Sequence, residues 1–516
     1  MRKSFVLLLT LIVFVSGTAY YAQGELLKEK DQVRFEETVL YGDRSVVEGV
    51  TVEANLSYNY KLFWKTLYEI GGESEEKTEY QFFPWSKHDT DNSYSGSMSF
   101  MVDGRDVMIS EYVKEREYEG LQIAMKELVD DTPAGTQNST TVYLKDYVED
   151  YNFMVEFTMP HKAGEDDSSY MNHSHFYFSE TELRKEIADL EKSGRDSKEL
   201  EELKAYLADV DAFQAFFKIP VLDTEVYTLA VAKDESGQII GIAESSNNSG
   251  SATGEIDIPN SVNIEGADSF DFNIYSAFDN GDCYFTFEPH TDMGNVVDVS
   301  QIPGGYGIYH FNYDQKQGTI DASNLKLVYP LDIEKYVTEI RIDGTGKNIL
   351  MFTYDEVSHY MSIIDRETLT LMDTFTLGDI ESYISTWTYE DYMAIATDQL
   401  MVFELGEDGR YVQAFSVDKE LLEEIIVTNS DFLSWGSTFD WNGETLLIAD
   451  RLIYYSDKED FSGEYTCDFY LTAVDENGLL YYGEYACSLS TIDGNISRCM
   501  FNSDMEFPLT VQWKEK

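Results

Sequence analysis

The chain is 516 residues long, carries a formal charge of −59, and is 14% aromatic, with 37 Tyr and 30 Phe. So many rings exclude a disordered acidic tail, and the length accommodates two to four domains or one large β-architecture. A negative field of this size repels phosphate backbones and anionic headgroups, which removes nucleic acid as a partner and leaves cations, basic peptides and neutral glycans.

The N-terminus reads Met1-Arg2-Lys3-Ser4, then an apolar run from Phe5 to Val15, then Ser16-Gly17-Thr18-Ala19. A positive start, an apolar centre and small residues are the parts of a secretory signal, with cleavage expected after Ala19. The same stretch carries no charge from Ser4 through Gly24. Retained, it is just long enough for a membrane anchor. Residues 1–24 are therefore a signal peptide or an N-terminal anchor, and the expected location is extracytoplasmic, secreted or tethered. Loss of Arg2 and Lys3 with the signal takes the charge to about −61, as an acid-rich surface requires.

Residues 25–160 read as a β segment. Short runs such as Ser97 to Met101 and Val107 to Tyr112 flank the Asp103-Gly104 turn, followed by Thr140 to Leu144 and Phe153 to Met159. Val142 and Leu144, and then Phe153, Val155 and Phe157, alternate with residues of the other face, as half-buried strands do.

Residues 161–220 form a His- and acid-rich linker and a helical hairpin. Ser179 and Glu182 have capping-box spacing, and Leu183, Ile187 and Leu190 fall on one helical face up to Gly194. Asp196 and Glu199 repeat the spacing, and Leu200, Leu203, Leu207, Val210 and Phe217 carry a second stripe toward Pro220. An apolar stripe of this kind normally buries itself on its own domain; the functional alternative is an arm that docks a partner.

Strands resume at Val221 and persist through 221–516. The clearest unit spans Val337 to Gly378 and holds four strand-like runs: Val337 to Ile342, Ile349 to Tyr354, Tyr360 to Ile364 and Leu371 to Leu377. Four antiparallel strands in about forty residues is the size of one propeller blade. The next unit, Tyr383 to Val417, contains Tyr392 to Ala396, Gln399 to Glu404, the Asp408-Gly409 turn and Tyr411 to Val417; turns at Asn442-Gly443 and Asn477-Gly478 mark a further one. From Val221 to about Ser490 the chain resembles extracytoplasmic β-propellers of the loosely repeating kind, on the strand, Asp-Gly turn, apolar strand order and the run Ile363 to Thr368. The resemblance implies an all-β, propeller-like array of four-stranded antiparallel sheets with an inserted α-helical hairpin. It names no family, and stacked β-sandwiches are the competing architecture.

Of the four cysteines, Cys467 and Cys487 flank a hairpin centred on Asn477, in which Glu476-Asn477-Gly478 suits a three-residue loop. That register sets the two opposite each other, so a cross-strand disulfide is expected in an oxidising compartment, with two buried thiols as the alternative. The partners of Cys283 and Cys499 stay open.

Enzymatic patterns are weak. With 96 acids, spacing selects no glycosidase pair, which needs an acid and a base about 5 to 9.5 Å apart in one cleft. There is no G-x-S-x-G elbow and no phosphate-cradling loop. The best metal candidate is His173 with His175, two apart on one strand face, and His161 or the acids Glu165, Asp166 and Asp167 to complete a zinc sphere. Asp279-Asn280-Gly281-Asp282 and Asp343-Gly344-Thr345-Gly346 are oxygen-rich turns that suit calcium, although ordinary hairpin chemistry explains both. Otherwise no cofactor is expected. Trp64, Trp85, Trp387, Trp435 and Trp441 serve either core packing or stacking on a ligand. The expected function is non-catalytic binding of a protein, peptide or glycan outside the membrane; the alternatives are a secreted carboxylate hydrolase and a membrane-tethered scaffold.

Overall fold

Runs of β-branched, aromatic and aliphatic residues separated by Asp, Asn and Gly become strands throughout the computed structural model of this chain. It describes residues 17–18 and 33–514, except 59–61, 72–76, 82–96, 103–119, 159–173, 176–179, 194–196, 247–249, 257–265, 315–318, 427–432, 434–436, 456–462, 490–491, 494–495, 498 and 502–507. Most of the N-terminal signal or anchor, the Asp103-Gly104 turn, the run Val107 to Tyr112, the helix signals Ser179, Gly194 and Asp196, and Trp85 and Trp435 lie outside the described residues.

The chain forms two compact units, Ser93–Thr376 and, from its two ends, Met1–Asn92 with Leu377–Lys516. Among the described residues, seven sheets of three to five strands, every ladder antiparallel where its register is described, make the fold β-propeller-like. Here they are numbered I to VII in chain order.

Sheets II to V belong to the first of these units. Sheets IV (Ile274–Asp279, Asp282–Phe287, Gly307–Asp314, Thr319–Pro330) and V (Tyr336–Ile342, Asn348–Tyr354, Ser358–Asp365, Thr370–Asp379) keep chain order across the sheet. In sheet V, Asn348 to Thr353 are buried without alternation. A strand covered on both faces loses the period of two and reads as a continuous apolar run. One of those faces meets sheet IV, where Ala277, Tyr284 and Ile308 pack with Ile340, Ile349, Met351 and Ile364.

Sheets II and III are interleaved. Gln137–Tyr143 enters sheet III against Val226–Lys233, the chain returns to sheet II for Phe153–Thr158 and Ser174–His175 beside Ser97–Val102, and it then comes back to sheet III. Three helices fill the connections: α1 (Leu121–Asp131), α2 (Glu180–Ser193) and α3 (Ser197–Phe216). Helix α1 lies inside the segment read from sequence as wholly β. Its buried Leu121, Ala124, Met125 and Leu128 follow a helical spacing, and they join a core with Leu229, Val231, Phe285 and Phe311.

The α2–α3 hairpin forms over the residues expected. Leu183 and Ile187 pack against Leu203, whereas the far end of α3 turns to the sheets, where Phe213 meets Phe285 and Phe311 edge-on at 6.4 and 5.5 Å. Each buried ring of this kind stabilises by roughly 1.5–3 kcal/mol. The stripe is thus spent on the protein's own core, as an apolar face demands.

The other unit holds sheets I, VI and VII, and in two of them the chain ends exchange strands. Sheet VI (Ser385–Thr388, Tyr392–Ala396, Gln399–Leu405, Tyr411–Asp418) is consecutive. Sheet VII (Thr438–Trp441, Leu446–Tyr455, Gly463–Asp475, Gly478–Cys487) takes the N-terminal strand Phe35–Gly42 as its edge, pairing Phe35 with Cys487. Sheet I (Thr51–Tyr58, Leu62–Glu69, Lys77–Gln81) takes Cys499–Phe501 and Leu509–Gln512 from the C-terminal end. Gly42 ends the exchanged strand at φ +79°, and a Cβ there would stand 1.9 Å from the Leu480 carbonyl oxygen, so only glycine fits.

Candidate functional site

Around α3 the structure builds an open cleft of about 320 Å³ lined by Asp150, Tyr151, Asn152, Asp211, Gln214, Ala215, Phe217 and Lys218. One wall is the segment 149–152, held to 219–221 by Tyr151 N–H to the Ile219 carbonyl (2.8 Å) and Val221 N–H to the Glu149 carbonyl (3.1 Å). The other wall comes from the end of α3, where Asp211, Gln214 and Ala215 stand at i, i+3 and i+4, and from Lys218 just past the helix. Tyr151 and Phe217 are each about 1% exposed and form the floor. Behind it the Tyr151 hydroxyl donates to the buried Glu225 carboxylate, which also accepts from the Tyr227 hydroxyl at 2.9 Å. Arg184 of α2 donates to Asp211 at 2.6 Å. The site therefore sets two acids, Asp150 and Asp211, and one lysine, Lys218, over buried rings, with Asp211 also paired to Arg184.

Among the described residues, the carboxyl groups pushed up by burial are elsewhere. Burial raises Asp209 to about 6 against the opposing Ala322 N–H, and raises the fully enclosed Asp450 to about 6 against the Ser437 hydroxyl. It raises Glu288 despite His290, which bonds its carboxylate, and raises Asp440 despite the Trp513 and Trp441 N–H groups. None of these four lines the cleft. A glycosidase cleft needs its raised acid and its base together, so this geometry does not favour the hydrolase reading.

The sequence-derived candidates are placed as follows. His161 and His173 lie outside the described residues, as do Glu165, Asp166 and Asp167; His175 pairs with Phe157 on sheet II, and only its backbone is described. The zinc expectation is thus untouched. The two oxygen-rich turns do converge, and Arg366 sits between them. Its guanidinium bonds the Asp279 carboxylate, donates to Asp282 Oδ2 at 2.9 Å and to the Gly346 carbonyl at 3.0 Å, and lies 5.5 Å from the Tyr284 ring centroid. Asp282 also accepts from Asn312 at 2.9 Å and bonds His310 at 2.8 Å. Asp343 is turned inward to its own loop, accepting from Asn348 Nδ2 at 2.7 Å and from the Lys347 N–H at 3.0 Å. An arginine in the chain supplies the cationic charge between these carboxylates, which sequence spacing alone did not suggest.

Of the tryptophans, Trp64 is fully buried, Trp387 packs 4.4 Å from Phe439, and Trp441 donates to Glu404 at 3.0 Å. Their use is core packing.

The cysteine hairpin reaches the expected register by a different loop. The hairpin uses a two-residue loop, Glu476 and Asn477, rather than three, and a bulge at Leu480 restores the register that pairs Phe469 with Tyr485. Continued two residues, that register sets Cys467 level with Cys487. All four cysteines are buried thiols, and Cys499 of sheet I joins this pair, with the three sulfurs within 4.8 Å of one another. Burial pushes the Cys467 thiol well above its usual range; Cys499 is also raised, contact with Cys487 and burial outweighing the opposite effect of Cys467.

No protein-family model matches this chain, and no curated protein matches it. Among solved structures it is similar to the β-propeller domain of Cps50 (Swd1) from Myceliophteria thermophila, at 9% identity over 50% of this chain and 69% of that one, with a TM-score of 0.23. It is also similar to a protein from Lactobacillus plantarum, at 8% identity over 58% and 84% with a TM-score of 0.23. A third is the β-propeller domain of the Trilobed protease from Pyrococcus furiosus, which has an open velcro topology, at 11% identity over 50% and 66% with a TM-score of 0.19. The assignment of a β-propeller-like fold therefore rests on the sheets themselves.

Proposed function

We propose that this chain is an exported, non-catalytic recognition protein that binds a basic segment of a protein or peptide partner. The signal-like N-terminus supports export. The charge of −59 supports a basic partner, because it concentrates cations at the surface and repels acids. The observation that carries the reading is the cleft at α3, with Asp150 and Asp211 at its mouth and an aromatic floor fixed by buried hydrogen bonds. The net negative charge of the chain sets the sign of the partner; within the cleft Asp211 is shared with Arg184, and the buried rings support the polar rim from below.

A titration with lysine- and arginine-rich peptides, against acidic peptides and neutral oligosaccharides, tests this. Basic peptides are expected to bind, more weakly as salt rises, and the double variant Asp150→Lys, Asp211→Lys is expected to bind about tenfold less tightly, or about 1.4 kcal/mol. Equal binding of acidic peptides, or no effect of the double variant, would remove the cleft from the account.

A further inference from the structure

Cys467 and Cys487 belong to neighbouring strands of sheet VII, while Cys499 stands opposite Tyr58 in sheet I. They are 0%, 5% and 0% exposed, and they share one core with Phe35, Phe469, Tyr485 and Phe501. Three sulfurs brought together from two sheets exceed the needs of a disulfide, which uses two and leaves a third polar thiol in an apolar core. Tetrahedral zinc with Zn–S near 2.3 Å spaces its sulfurs about 3.8 Å apart, which the 4.8 Å envelope accommodates. Beside them Asp468, 6% exposed, accepts the Cys487 N–H at 2.6 Å.

We propose that Cys467, Cys487 and Cys499 bind one thiophilic, closed-shell cation, zinc in the first instance, through their three thiolates. Binding replaces three S–H protons with the ion and releases them to water, so the affinity rises with pH. Because the ligands come from both sheets, the ion ties the sheet edged by the N-terminal strand to the sheet completed by the C-terminal strands. The site goes beyond partner recognition and does not depend on it.

The full chain, purified without chelator or added reductant, is examined for metal content and intact mass, and then, reduced, is titrated with cadmium. The expected results are one zinc per chain, thiols that react with maleimide only after chelation and unfolding, and a thiolate-to-cadmium absorption band that saturates at one equivalent. Cys499→Ser is expected to lose the ion and the band, while Cys283→Ser keeps both; circular dichroism confirms that each variant folds. A chain two hydrogens lighter with two of the three sulfurs joined would overturn the proposal in favour of a disulfide. So would a reduced wild-type chain that gives no band at saturating cadmium.

Discussion

Sheets IV and V in one unit and sheets I and VII in the other are built from the same kind of strand, yet they are closed in opposite ways. In the first pair each sheet is completed by chain that follows directly, and charge pins the turns, with Arg366 against Asp279 and Asp282. In the second, edge strands come from the opposite end of the chain, and what holds them is apolar and aromatic packing such as Phe35 on Phe469 at 5.3 Å. Local sequence therefore makes strands, but long-range pairing decides which sheets survive when an end is disturbed.

Removing the exchanged strand Phe35–Gly42 should have the largest effect. It strips sheet VII of its edge, and hydrogen exchange is expected to show lost protection in Phe469 to Tyr485 while Asn348 to Asp365 keep theirs. Equal loss in both regions would break the comparison. Within the other unit, Phe213→Ala should cost about 3–5 kcal/mol in denaturant unfolding, because a ring packed against Phe285 and Phe311 leaves a cavity.

A carboxyl group in each unit sharpens the contrast through pH. Asp450 is raised from 3.8 to about 6, so the folded state holds its proton more tightly than the unfolded chain. Stability on this account falls as pH rises from about 4 to 6, and the full penalty, about 3 kcal/mol, is present above that range. Asp450→Asn should flatten the profile and be the more stable protein at neutral pH. Asp209 is displaced in the same direction to about 6, but it is partly exposed, and Asp209→Asn should give the same sign with a smaller, solvent-screened amplitude. The smallest of these effects is expected from Arg366→Ala, about 2 kcal/mol. That is less than for a fully buried pair, because the side chains of Asp279 and Asp282 keep 22% and 31% exposure; Arg366→Lys should restore only part of it, since one ammonium cannot span both carboxylates.

Where the pattern is local, sequence reading and structure agree closely. The runs assigned to Val337–Gly378 and Tyr392–Val417 are strands to within two residues at each end, because apolar runs punctuated by Asp-Gly turns encode consecutive antiparallel pairs. The hairpin helices form for the same reason. What was not legible depends on distance: nothing near Phe35 announces Cys487, and nothing near Cys499 announces Tyr58 or the other two thiols. Helix α1 differs from the β reading of its segment: Leu121, Ala124, Met125 and Leu128 spell a helical period, but only over about three turns set between strands. The cleft has a weak local signal, the polar residues Asp211 and Gln214 near the end of α3, but its other wall at 149–152 lies about sixty residues earlier. The Arg366 node had none, since it joins turns separated in the chain by whole strands.

Recognition without turnover is tested most directly by calorimetric titration of the full chain with a basic peptide, followed by mass spectrometry of the recovered ligand. The account predicts saturable, salt-weakened binding at one site and a ligand returned with unchanged mass. A cleaved or otherwise altered ligand, or no heat at any ionic strength, would contradict it.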